Sequence, residues 1–102
     1  MPAAPPGPTT PDPTVKPNAS CLLTELGDGT GVLLDLATKF YFTLNETGVF
    51  LWKTLVSHGT ATGGTLATAL VTEFEVDTET ARVDVAAVLD ELVRAGLCSR
   101  SG

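Results

Sequence analysis

All seven prolines of this chain fall within its first 17 residues. Proline fixes its own φ and pushes the residue before it towards extended structure. Almost nothing apolar lies there to offset the entropy of ordering the chain. Residues 1–19 are therefore expected to form a disordered arm, and residues 20–102 a single folded domain. A domain of that size buries roughly 60–65% of its unfolded surface and holds one core. Its total stability is on the order of 4–13 kcal/mol. Two domains, a dinucleotide-binding unit and a barrel enzyme are excluded on length alone.

Beyond the arm, strands come first. Ser20–Leu26 and Val32–Ala37 flank Gly27-Asp28-Gly29-Thr30-Gly31, a hairpin loop of ordinary length. That loop opens onto a strand and carries Asp28 in place of a lysine, unlike a phosphate-cradling loop. A second turn near Ala37–Lys39 leads into the aromatic strand Lys39–Thr43. Alternation places Phe40, Phe42 and Leu44 on one face, with Lys39, Tyr41 and Thr43 on the other. In the middle strand Val32, Leu34 and Leu36 share a face, opposite Leu33, Asp35 and Ala37.

Helices follow. Asn45 is an expected N-cap for a helix over 46–57, in which Val49, Trp52 and Leu55 recur at helical spacing. Gly59–Gly64 interrupts, and Thr65–Phe74 forms a second helix. Asp77 caps a third over 78–95, ended by Gly96. There Ala81, Val85, Val88, Leu89 and Leu92 form a buried stripe, with Glu79, Asp84, Asp90, Glu91 and Arg94 outside it. The order β-β-β-α-α-α defines an α+β domain with helices packed on one sheet face.

Catalytic machinery is not evident. The single histidine, His58, has no nucleophile beside it and ends the first helix, where a cation meets the last carbonyls. The acidic run Glu73, Glu75, Asp77 and Glu79 has no glycine and departs from the calcium-loop pattern. No metal site and no catalytic residue is expected. Cys21 and Cys98 read as two reduced thiols. The chain has 6 Lys+Arg against 12 Asp+Glu, a net charge of −6, and its basic residues are scattered. Nucleic acid and anionic membrane are poor partners for that distribution. No apolar run approaches the ~20 residues needed to cross a bilayer. The segment MPAAPPGP has no basic residue and no long apolar stretch, unlike a signal peptide, so a cytoplasmic protein is expected.

One strand stands out. Lys39–Thr43 is last in its meander, which leaves an edge that proteins normally blunt. Either a helix, the arm or a dimer mate covers it, or it is a template for a partner's extended peptide.

These residues resemble a known family. Val32-Leu33-Leu34-Asp35, Lys39-Phe40-Tyr41-Phe42, Leu44-Asn45-Glu46-Thr47-Gly48 and Trp52 are similar to the run shared by PqqD-like proteins. Asp77, Ala81, Asp84-Val85, Leu89, Leu92 and Ala95-Gly96-Leu97 match its ending. The match spans about residues 20–98; the departures are the proline-rich arm and Lys39, where a turn glycine is common. The resemblance implies a winged-helix-like fold, with a three-stranded antiparallel sheet followed by three helices. It implies a cofactor-free, non-catalytic element that recognises ribosomally made, post-translationally modified peptides. Such elements bind the leader of a precursor peptide as a fourth strand on the third strand, beside the third helix. They present it to a modifying enzyme, such as a radical SAM maturase, or to a leader peptidase. Carried over by position, the peptide-binding residues are Lys39, Phe40, Tyr41, Phe42 and Thr43 on the strand. Ala81, Asp84, Val85 and Val88 form the groove wall, with Arg82 as a salt-bridge donor to an acidic leader residue. Asp84 has the alternative role of bracing its helix.

Two other functions fit the same architecture. One is a winged-helix DNA-binding regulator, against which the acidic third helix argues. The other is a structural dimerisation module that covers the edge with its twin. A monomer or weak homodimer is expected for the leader-binding reading.

Overall fold

The computed structural model describes residues 14–101. Its strands are β1 (Thr14–Pro17), β2 (Cys21–Glu25), β3 (Gly31–Asp35), β4 (Tyr41–Leu44), β5 (Ala61–Thr62) and β6 (Cys98–Ser101). The helices are α1 (Glu46–His58), α2 (Gly63–Phe74) and α3 (Thr78–Arg94). The run β2-β3-β4-α1-α2-α3 retains the order read from the sequence, in an α+β fold. Three further short strands frame it.

Strands β2, β3 and β4 form an antiparallel meander in that order. The register pairs Leu23 with Leu33 and Leu33 with Phe42, while Leu34 lies between Leu22 and Tyr41. The inner face carries Gly31, Leu33 and Asp35, all buried; Val32 and Leu34 are half-buried on the outer face. Gly31 sits in close quarters: a Cβ there would lie 3.0 Å from Leu23 Cδ1 and Val49 Cγ2 and 3.1 Å from Thr24 O, so a larger residue needs those neighbours to give by a few tenths of an ångström.

Side-chain oxygens cap all three helices. Asn45 Oδ1 accepts from Gly48 N–H at 2.8 Å, Thr62 Oγ1 from Thr65 N–H at 3.1 Å, and Asp77 Oδ1 from Thr80 N–H at 2.7 Å. At the end of α3, Gly96 takes φ 79°. Its N–H donates to Val93 O at 3.1 Å and that of Leu97 to Leu92 O at 2.9 Å, a Schellman closure. Leu97 is thereby drawn into the core, fully buried.

That core joins Val49, Leu51, Trp52 and Leu55 of α1, Leu66, Ala67 and Leu70 of α2, and Ala81, Val85, Leu89 and Leu92 of α3. Leu33 and Leu44 close it from the meander. Val88 is only half-buried at the edge of the α3 stripe.

The arm is shorter than the sequence reading had it. Thr14–Pro17 is the middle strand of a second sheet, ordered β5-β1-β6, which closes the domain at both ends of the chain. Val15, 1% exposed, is its anchor in the core. Asn18 continues the tie, donating from N–H to Leu97 O at 2.9 Å and from Nδ2 to Gly96 O at 3.1 Å. The rest of the expected disordered arm, residues 1–13, lies outside the described residues.

Cys21 and Cys98 are free thiols. Burial, reinforced by the neighbouring Cys21, pushes the Cys98 thiol up to about 12, so it stays protonated at neutral pH.

Asp35 is the one buried charged side chain among the described residues. Its Oδ1 accepts from Ser20 Oγ at 2.6 Å and from Ala37 N–H at 3.0 Å, shaping the turn into β4. The Ser20 hydroxyl first, and then the Ala37 amide, hold its carboxyl below the ordinary value. A carboxyl lowered by folding stabilises the native state above its unfolded pKa, about 4. That contribution is lost as pH falls through the folded value. Denaturation midpoints measured between neutral pH and pH 3 should therefore fall on the acid side, and fall less in Ser20→Ala. Parallel pH profiles for the two proteins would remove Asp35 from the account.

Lys39 closes the same turn at φ 66°, with its N–H donating to Asp35 O at 2.7 Å. A left-handed backbone is costly for a residue with a Cβ and free for glycine. Lys39→Gly is expected to raise stability by about 0.5–1 kcal/mol. The readout is a higher denaturant midpoint at unchanged slope; a lower midpoint would show that the lysine side chain braces the turn.

Candidate functional site

Backbone bonding in the meander fixes which groups of β4 are free. Asp35 N–H donates to Phe40 O at 2.8 Å, so residues 35 and 40 are a hydrogen-bonded pair. Bonded pairs recur every second residue in an antiparallel ladder. In the register of β3 and β4, Phe42 and Leu44 therefore bond inward, and Tyr41 and Thr43 turn N–H and C=O outward. No strand of the described residues lies on that side of β4. The edge is open.

Alternation also divides the side chains. Tyr41, 65% exposed, and Thr43 lie on the outer face. Phe42 and Leu44 lie on the inner face, where β4 meets α3 and the start of α1. There Phe42, Thr43, Leu44, Asn45, Gly48, Val88 and Glu91 line a groove of about 350 Å³. Leu44 is almost fully buried, while Phe42 and Val88 are half-buried. Phe42 and Val88 thus stand beside a row of unpaired backbone groups, in a groove whose lining also includes the polar side chains of Thr43, Asn45 and Glu91.

The residues expected from sequence divide against this frame. Tyr41, Phe42 and Thr43 lie on β4, and Val88 on the facing wall. Lys39 and Phe40 belong to the turn: the Lys39 N–H is taken by Asp35, and the Phe40 N–H lies 3.2 Å from Thr38 Oγ1. Ala81 and Val85 are core, 0% and 1% exposed, and offer no surface to a ligand. Asp84 is exposed one helical turn before Val88, on the same stripe. Arg82 stands on the flank of α3 that faces α2, in a cleft with Ala67, Thr68 and Val71. It is outside the β4 groove. Glu91 was missed because only its position outside the buried stripe was read; its spacing from Asp84 and Val88 places it on their face.

The charge on α3 is unevenly balanced. Arg82 pairs with Glu79 at 3.8 Å and Arg94 with Asp90 at 3.2 Å. No ion pair among the described residues engages Asp84 or Glu91. Both pairs are exposed and therefore weak, so they bias the arginines without fixing them.

A cavity of about 540 Å³ lies between α1 and the end of α2 and shares no lining residue with the β4 groove. Its His58 lies 2.8 Å from Thr54 O through Nδ1; the carbonyl only accepts, so Nδ1 carries the proton. Among the described residues no three His, Cys, Asp or Glu are placed to hold a metal ion. No helix there is long and apolar enough to cross a membrane.

The family model for coenzyme PQQ synthesis protein D (PqqD) matches residues 30–97, from the β2–β3 loop to the end of the α3 closure. The chain belongs to the PqqD family. Two solved structures resemble this PqqD-family chain over most of both molecules. TbiB1 in complex with the TbiA(beta) leader peptide superposes with a TM-score of 0.71 at 26% identity, covering 82% of this chain and 94% of that one. A lasso peptide synthetase B1 complexed with the leader peptide gives 0.67 at 25% identity, covering 82% and 95%. A search of curated proteins returned no match.

Proposed function

We propose that this chain is a recognition element that binds the leader segment of a ribosomally synthesised precursor peptide. The leader adds as a fourth strand along β4, between the meander and α3. The domain then presents it to a modifying enzyme or a leader peptidase and performs no chemistry itself. The observation that carries this reading is the open edge at Tyr41 and Thr43 beside a groove of mixed lining, with Phe42 and Val88 next to Glu91. Its support is that two relatives of this fold and length are leader-peptide complexes. Backbone bonds supply affinity in strand addition, and pockets for alternate side chains supply specificity.

The test is a backbone-amide NMR titration with synthetic leaders taken from short precursor-like reading frames beside the gene. Saturable shifts are expected in Tyr41–Leu44 and in α3 from Asp84 to Glu91. Thr43→Pro removes one outward N–H at an edge position where proline is tolerated. It should weaken binding at least about tenfold while leaving the helical circular-dichroism signal unchanged. Saturable shifts centred elsewhere would overturn the strand-addition geometry, and no shifts with any leader would overturn the function.

A further inference from the structure

We infer that the leader taken by this domain carries a lysine or arginine whose side chain enters the β4 groove beside Glu91, two residues from an apolar side chain that packs on Phe42 and Val88. The inference rests on the strand-addition reading and specifies its ligand. A strand bonded to Tyr41 and Thr43 sends every second side chain to the groove side of the sheet. On that side the floor is Phe42, Leu44 and Val88, and the charged group in the lining is the Glu91 carboxylate. Asp84 adds a second negative charge along the same stripe of α3, exposed and without an ion pair among the described residues. Neither arginine of α3 is in the groove lining: Arg82 lies in the cleft beside α2, and Arg94 is nearest Asp90 at 3.2 Å. Lys39 stands in the turn before β4, outside the groove lining.

A cation suits this arrangement in both of its parts. The aliphatic stem of a lysine or arginine lies along apolar surface while its head group stays at the polar rim. Here the stem lies on Val88 and the head group meets Glu91. A leader carboxylate in the same place would face the Glu91 carboxylate, with Asp84 about two helical turns away, on a chain of net charge −6. The charge preference is therefore opposite to the one that Arg82 in the groove implies, because Arg82 lies on the other flank of α3.

The experiment is selection from a displayed library of random dodecapeptides on the intact chain, with counter-selection against Thr43→Pro to retain edge-dependent binders. The expected binders share Lys or Arg at one position, two residues from an apolar one. Glu91→Lys should weaken them about tenfold, and selection on Glu91→Lys should return Asp or Glu at that position. Arg82→Glu should leave their affinity unchanged. Glu91→Gln, isosteric with the native side chain, should give a smaller loss in the same direction if the lysine variant is poorly folded. Edge-dependent binders indifferent to both Glu91 variants would overturn the charge assignment and leave leader binding in place. Binders recovered only when the Thr43→Pro counter-selection is omitted, or no binders at all, would overturn both.

Discussion

Val85→Asp should leave the domain unfolded at neutral pH. Val85 sits at the centre of the α3 stripe, 1% exposed among Ala81, Leu89 and Leu92. A carboxylate there has no cation within the core and no water to solvate it. The cost is about 4–5 kcal/mol or more, in the range kept for unpaired buried charge. The whole domain is stable by only about 4–13 kcal/mol. Loss of the helical circular-dichroism signal, with a collapsed amide spectrum, is the expected result. Asp84→Ala, one residue away on exposed surface, should keep both signals. A Val85→Asp protein that folds normally but fails to bind leaders would return Val85 to the groove wall, where family position alone had placed it.

Trp52→Ala should cost about 3–5 kcal/mol, the range for truncating a large buried aromatic. Trp52 is 3% exposed and belongs to the same cluster as Leu51 and Leu55 of α1 and Leu33 of β3. Its removal takes out the largest side chain in the space between the meander and the helices. The check is chemical denaturation followed by circular dichroism, since the variant lacks the chain's only tryptophan. A shift of the midpoint at constant slope would report the lost packing. An unchanged midpoint would mean that the family tryptophan is retained for contact with something outside this domain.

What was legible in the sequence was local. Asn45 and Asp77 announce helix starts because capping needs one side chain and an amide three residues on. Gly96 and Leu97 announce the end of α3 for the same reason. The buried stripe of α3 followed from a repeat that any packed helix must have. The site was harder, because it depends on which flank of that stripe faces β4. Arg82 and Glu91 both lie outside the stripe, on opposite sides of it. Only the packing of α2 against one flank and β4 against the other separates their roles. Strand β1 was illegible for a different reason. It is four residues long, ends in proline, and contributes Val15 as its single buried side chain. No alternation can be counted over one residue.

The β1–β6 pairing brings Thr14 opposite Ser101, so the chain enters and leaves the fold through neighbouring positions about 5 Å apart. A domain closed in this way can be opened elsewhere. Joining residues 14 and 101 by a short linker and cutting between Gly27 and Asp28, both exposed, would yield a circular permutant with the meander register unchanged. The same closure suits insertion into a surface loop of a host enzyme, because the host need only span the width of one strand pair. The β4 edge would be carried along intact in such a transplant.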